Sequence, residues 1–278
     1  MGEIGRGRLL LGAFPTAEAA VAFADRVSAA PAAEVARLWS RAREAFLSSA
    51  NGAVEPQEAD ADAGTLETLA EALDASLFRS SVEGRSWRVA SVAVESLATS
   101  QPLVQLARVA ALSRRMGEDG LLRMLFPSRG SVDARVEAPG GASIALVTER
   151  ADLAVSKIEA RQADATGPIE VVFRLEPRPN YLTVLRLGTR LVVRNGNHRL
   201  VAAWSRGVRR VPCVLLDADE ESFAERPDRF APDALRGRRA PRIVDLVEPS
   251  DASVDIELAA RKHVTVFRAE QRWSREER

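Results

Sequence analysis

Residues 181–216, YLTVLRLGTRLVVRNGNHRLVAAWSRGVRRVPCVLL, admit few local folds. The run 181–187 is rich in Leu, Val, Thr and Tyr, side chains that suit a pleated, half-buried surface. Only Gly188-Thr189 separates it from 190–194, so the two runs are expected to close a hairpin, with glycine supplying positive φ. A polar elbow follows: Asn195, Gly196, Asn197, His198, Arg199. Beyond it Leu200, Val201, Ala203 and Trp204 fall at helical spacing, and Gly207 stands where a C′ glycine belongs. The unbroken apolar run 211–216 then reads as a strand buried on both faces.

A strand that enters a helix through a glycine elbow leaves the first N–H groups of that helix without partners. With the helix dipole they form an anion site. His198 and Arg199 are expected at its mouth, offering charge and donors. Asn195, Gly196, Asn197, His198 and Arg199 are therefore the expected phosphate-binding set, and Arg178, in the turn before the hairpin, lies within reach of the same ligand. His198 is the candidate catalytic acid or base, because its unperturbed pKa lies near neutrality. Phosphoryl transfer also needs carboxylates for a metal, and no acidic pair has recognisable spacing. Glu170, Glu176, Asp217 and Asp219 read as surface charges. The plainer alternative is that Gly196 makes the turn, Asn197 caps the helix and Arg199 points to solvent.

The order hydrophobic strand, G-x-H-R at Gly196–Arg199, apolar helix, glycine, V-P strand resembles the ParB/sulfiredoxin-like superfamily over about residues 169–216. That superfamily includes the nucleotide-binding domain of chromosome-partitioning proteins, sulfiredoxin and a free-serine kinase. Its members hold a nucleotide phosphate with this elbow, so the resemblance implies that role for Gly196, Asn197, His198 and Arg199, with ATP or CTP and magnesium as the implied cofactor. Two departures stand out. Sulfiredoxin's reactive cysteine is replaced by Asn197, which excludes its sulfinic-acid chemistry, and the acidic residue and helix-turn-helix of the partitioning proteins are not evident.

Lys+Arg and Asp+Glu balance at 39 each in 278 residues, so no global field draws the chain to nucleic acid or to an anionic membrane. Cys213 is the only cysteine and lies inside an apolar run, as a small inert hydrophobe would. With two histidines, His198 and His263, neither a zinc cluster nor a His-rich metal site is expected. No apolar run approaches the ~20 residues that span a bilayer. The apolar patch 9–14 is shorter than a signal-peptide core, and the chain is read as cytoplasmic.

The texture predicts an α+β chain: a helical region over 1–126, then a mixed-sheet ParB/sulfiredoxin-like domain over 140–268. Thr16 is expected to cap a first helix, Pro31 to open a second and Thr65 a third reaching about Arg79. Residues 48–64 read as a loop or linker. SWRVASVAVESL is strand or buried helix, 102–116 a helix, 142–148 a strand, 152–161 a short helix and 169–175 a half-buried strand. Trp39 and Trp87 read as core. The cluster Arg236, Arg238, Arg239, Arg242 is a solvated loop able to touch phosphate, and 253–258 and 262–268 are expected to pair as a closing hairpin. Three readings of different class follow. The first is a nucleotide- or phosphometabolite-binding protein, such as a small-molecule kinase or nucleotidase. The second is an inactive protein-interaction module with its partner on the N-terminal helices. The third is a nucleic-acid accessory protein, against which the balanced charge counts.

Overall fold

The computed structural model describes residues 5–49, 55–74, 78–79, 82–127, 134–140, 143–148, 153–162, 169–177, 180–217, 228–259 and 263–268. The fold is α+β. It divides into two compact units, one joining Met1–Ser128 to Pro179–Ala260, the other joining Arg129–Arg178 to Arg261–Arg278. The partition at 126/140 expected from texture differs from this, because strands from both sides of that boundary share one sheet.

That sheet is mixed and six-stranded. With β1 at Gly5–Leu9, β2 at Glu58–Asp60, β3 at Trp87–Ala93, β4 at Leu97–Thr99, β5 at Leu103–Gln105, β6 at Ala134–Gly140, β7 at Ser143–Thr148, β8 at Leu153–Gln162, β9 at Ile169–Pro177, β10 at Thr183–Leu187, β11 at Arg190–Asn195 and β12 at Arg210–Asp217, its order is β2-β3-β12-β10-β11-β4. The β10–β11 hairpin turns at Gly188 (φ 56°) as the sequence predicts. β12 lies between antiparallel β3 and parallel β10, and Val211, Cys213 and Val214 are fully buried. β11 pairs in parallel with β4, which brings Thr99 opposite Val193, next to the elbow.

The helices are α1 at Ala17–Val27, α2 at Ala32–Ser48, α3 at Ala63–Asp74, α4 at Leu106–Asp119, α5 at Leu121–Leu125, α6 at Asn197–Ser205 and α7 at Pro232–Arg236. Thr16 caps α1, its Oγ1 accepting from the Ala19 N–H at 3.1 Å, and Pro31 precedes α2. Gly207 (φ 82°) closes α6, with Gly207 N donating to Trp204 O and Val208 N to Ala203 O. Trp39 packs on the core and donates to Phe14 O. Trp87 does not sit in the core: it is 38% exposed and meets Phe78 edge-on.

Several expectations yield to tertiary pairing. Within the supposed linker, Glu58–Asp60 forms the edge strand β2, pinned because Glu58 binds both Arg88 and Arg186. The helix foreseen from 102 starts at Leu106, because Leu103–Gln105 pairs with β1. The segment foreseen as a short helix over 152–161 is the strand β8, paired along its length with β9 and bulged between Val155 and Lys157. With β13 at Val254–Leu258 and β14 at His263–Arg268, the expected closing hairpin is absent: β13 pairs with β1, and β14 with β7. In the second unit β14-β7-β6 form one sheet and β8-β9 another. Among the described residues no helix is long and apolar enough to cross a membrane.

Candidate functional site

The elbow sits entirely within the first unit and pivots on Gly196, whose φ of 112° lies in the left-handed region. A Cβ there would fall 2.5 Å from Leu182 Cδ1, the end of a side chain, so it is chiefly the conformation that calls for glycine. Gly196 is the N-cap of α6 and has no side chain to cap it. Its first intrahelical bond runs from Leu200 N to Gly196 O at 3.0 Å, so the N–H groups of Asn197, His198 and Arg199 have no acceptor within the helix.

The side chains around that start are arranged differently from the expectation. Arg199 does not stand at the mouth. It is 6% exposed and turned inward beside Gly196. Nη1 donates to Leu125 O at 2.8 Å and to Asn180 O, while Nη2 donates to Asn180 Oδ1 at 2.9 Å. The same Oδ1 accepts from Asn195 Nδ2 at 2.7 Å. Arg199 thus ties the C-terminus of α5 and the turn before β10 to the start of α6. Among the described residues no carboxylate contacts it. Burial pulls its pKa down to about 9, and the charge of Arg108 adds to the shift, so the group still carries its proton at neutral pH.

His198 is half-buried, and its Nε2 accepts the N–H of Gln105, the residue before α4, at 2.9 Å. Burial, then the charges of Arg108 and Arg199, push its pKa down to about 3. The ring is therefore neutral with its proton on Nδ1. An imidazole held this way does not act as a general acid near neutral pH. The catalytic role expected of His198 has no geometric support, and a structural one does.

Asn197 is 1% exposed and lies 2.7 Å from Thr99 Oγ1, which also lies 3.0 Å from Gln101 O. With the amide oxygen facing Thr99, one hydroxyl proton would have to serve two acceptors and Asn197 Nδ2 would be buried without a partner. Turning the amide over gives a consistent chain, Asn197 Nδ2 to Thr99 Oγ1 to Gln101 O, and is the better assignment. Asn197 is then a bolt between α6 and β4, not a ligand donor.

Arg178 lies outside the described residues. The cluster at 236–242 is largely spent on internal contacts. Arg239 forms a buried ion pair with Asp245 at 3.1 Å and stacks 4.0 Å from the Phe46 ring centroid; Arg242 lies 3.8 Å from the same carboxylate. Cys213 is fully buried, and burial raises its thiol pKa, so it is held as an inert thiol. Sequence reasoning missed Thr99, Gln105, Arg108, Leu125 and Asn180, all of which surround the elbow. The polar run Thr99-Ser100-Gln101 directly after an apolar strand was the one available signal. No protein-family model, curated protein or solved structure matches the chain.

Gathered at the start of α6 are a glycine elbow, a buried guanidinium, a second arginine whose field reaches it, and a neutral imidazole. This donor set suits a phosphate. Among the described residues no three His, Cys, Asp or Glu side chains gather to hold a metal ion.

Proposed function

We propose that this chain binds a nucleotide or another phosphorylated small molecule at the start of α6, as its resemblance to the ParB/sulfiredoxin-like superfamily implies. The observation that carries the reading is a buried cation, Arg199, balanced among the described residues only by carbonyl and amide oxygens. Burying a charge is costly unless it is paired, and an anion on the N–H groups of Asn197, His198 and Arg199 supplies the missing charge at short range. The backbone and Arg108 hold the phosphate directly. Arg199 acts from beneath, through its field and by fixing Asn180 and Leu125. Kinase or nucleotidase chemistry is a finer claim that this arrangement does not carry, because His198 is neutral and engaged and, among the described residues, no carboxylate stands beside it.

Thermal shift and titration calorimetry with ATP, CTP and inorganic phosphate, with and without magnesium, test the reading. A ligand at ten times its dissociation constant stabilises the folded state by about 1.4 kcal/mol, a shift of a few degrees for a unit of this size. Arg108→Gln, which removes an exposed charge without breaking a described bond, weakens binding several-fold. No stabilisation by any of the three ligands, or binding unchanged in Arg108→Gln, refutes the proposal.

A further inference from the structure

Most of the second unit, Arg129–Arg178, is inserted into the first: the chain leaves the first unit after Ser128 and re-enters it at Pro179. The two arms of this root meet inside the first unit. Leu125 ends α5 on the outgoing arm, and Leu182 immediately precedes β10 on the returning one. Leu182 N donates to Leu125 O at 2.9 Å, and Leu182 O accepts from Val214 N, which seats the returning arm on β12.

Arg199 clasps both arms at once. Nη1 donates to Leu125 O at 2.8 Å on the outgoing arm and to Asn180 O on the returning one, and Nη2 donates to Asn180 Oδ1 at 2.9 Å. The rigid, planar fork of the guanidinium makes this double hold possible. Asn195 Nδ2 donates to the same Oδ1 at 2.7 Å, which joins the end of β11 to the knot. The buried cation beside the elbow is therefore also the group that closes the root of the insertion.

The clasp carries an unmatched charge. Among the described residues Arg199 meets only carbonyl and amide oxygens, and a buried cation without a counter-charge is held against the pull of water. Its alternative is to swing outward, which releases Leu125 and Asn180 together. An anion at the elbow removes that penalty without any swing, because the inward guanidinium already lies against Gly196: a Cβ added there would stand 3.3 Å from Nη2. By linkage, whatever the anion gives to the closed clasp, the closed clasp returns to the anion.

We infer that Arg199 couples the elbow to the root of the insertion: an anion bound at the start of α6 balances the guanidinium, tightens its hold on Leu125 and Asn180, and so reports occupancy to the two connections that lead into the inserted segment. The coupling rests on the phosphate reading of the elbow. It makes Asn180→Asp a mimic of the bound ligand. That change sets a permanent negative charge where Oδ1 lies 2.9 Å from Nη2, in nearly the same shape, so it closes the clasp and takes away the electrostatic gain of binding an anion.

Hydrogen exchange read by mass spectrometry on the full chain, with and without ATP, CTP or inorganic phosphate, follows the root in peptides over 121–127 and 180–187. A peptide over 32–48, in α2, gives the general stabilisation that any ligand brings, and calorimetry on the same samples reports binding. When a probe binds, exchange at the root slows about fivefold or more beyond that of α2. Asn180→Asp shows the slowed exchange without ligand and binds the same probe about tenfold more weakly. If none of the three probes binds, the phosphate reading falls and the coupling with it. If a probe binds while root exchange changes no more than that of α2, or speeds up, the coupling alone is overturned. Binding by Asn180→Asp as tight as that of the wild type overturns it too. The wild-type comparison needs no variant, so it decides the matter even where the melting temperature shows Asn180→Asp to be poorly folded.

Discussion

His198 offers a sharp test, because its neutral state is built into the packing of α4 on α6. Its ring nitrogen accepts the Gln105 N–H, and its pKa falls from 6.5 to about 3 on folding. The unfolded chain therefore binds one more proton than the folded chain between those values. Stability from this group is complete above about pH 6.5 and is lost as pH falls through the window. At pH 5 the unfolded imidazole is almost fully protonated and the folded one is not, so the loss is about 2 kcal/mol, from 1.36 kcal/mol per pH unit over roughly 1.5 units. His198→Gln keeps an oxygen that can accept from Gln105 but does not titrate. Urea unfolding followed by tryptophan fluorescence at pH 7.5 and pH 5.0 compares the two proteins, and carboxylate effects common to both cancel. The wild type loses about 2 kcal/mol more than His198→Gln over this interval. Equal losses would show that the imidazole is solvated and free to protonate, and the structural role assigned to it fails.

Two further substitutions probe the packing that supports the elbow unit. Gly12→Ala puts a Cβ 2.1 Å from Ala42 O on α2, a backbone clash that no rotamer relieves; it costs about 3 kcal/mol or more, read as a lowered urea midpoint at unchanged m-value. Asp245→Asn leaves Arg239 and Arg242 buried beside a neutral amide and costs about 3 kcal/mol by the same measurement, whereas loss of a solvated loop carboxylate would cost almost nothing.

The sequence reads best where structure is decided locally. The hairpin, the left-handed Gly196, α6 and its glycine stop, and the buried β12 all follow from residues within a few positions of one another. Thr16 and Pro31 mark their helix starts for the same reason. The misreadings share the opposite cause. Glu58–Asp60 is acidic and short, and becomes a strand only because Arg88 and Arg186 arrive from distant segments. β8 carries enough Ala, Glu, Lys and Gln to suggest a helix, yet a bulge corrects its phase and β9 supplies its hydrogen bonds. At the elbow the residue types are legible and their directions are not. Nothing in G-N-H-R says that Arg199 folds back to Leu125 and Asn180, or that His198 faces Gln105, because those acceptors belong to other parts of the chain.

The antiparallel bridge between Gly5–Leu9 and Val254–Leu258 has a consequence for biogenesis. Gly5 pairs with Leu258 and Leu9 with Val254, so an early-made strand waits for one made some two hundred and fifty residues later. During translation the apolar residues Leu9, Leu10 and Leu11, all buried in the finished fold, emerge long before their covering strand exists. Contacts this distant in sequence slow folding and expose nascent chains to aggregation. Until β13 is made, β1 therefore lacks the neighbour that the finished sheet gives it along that edge.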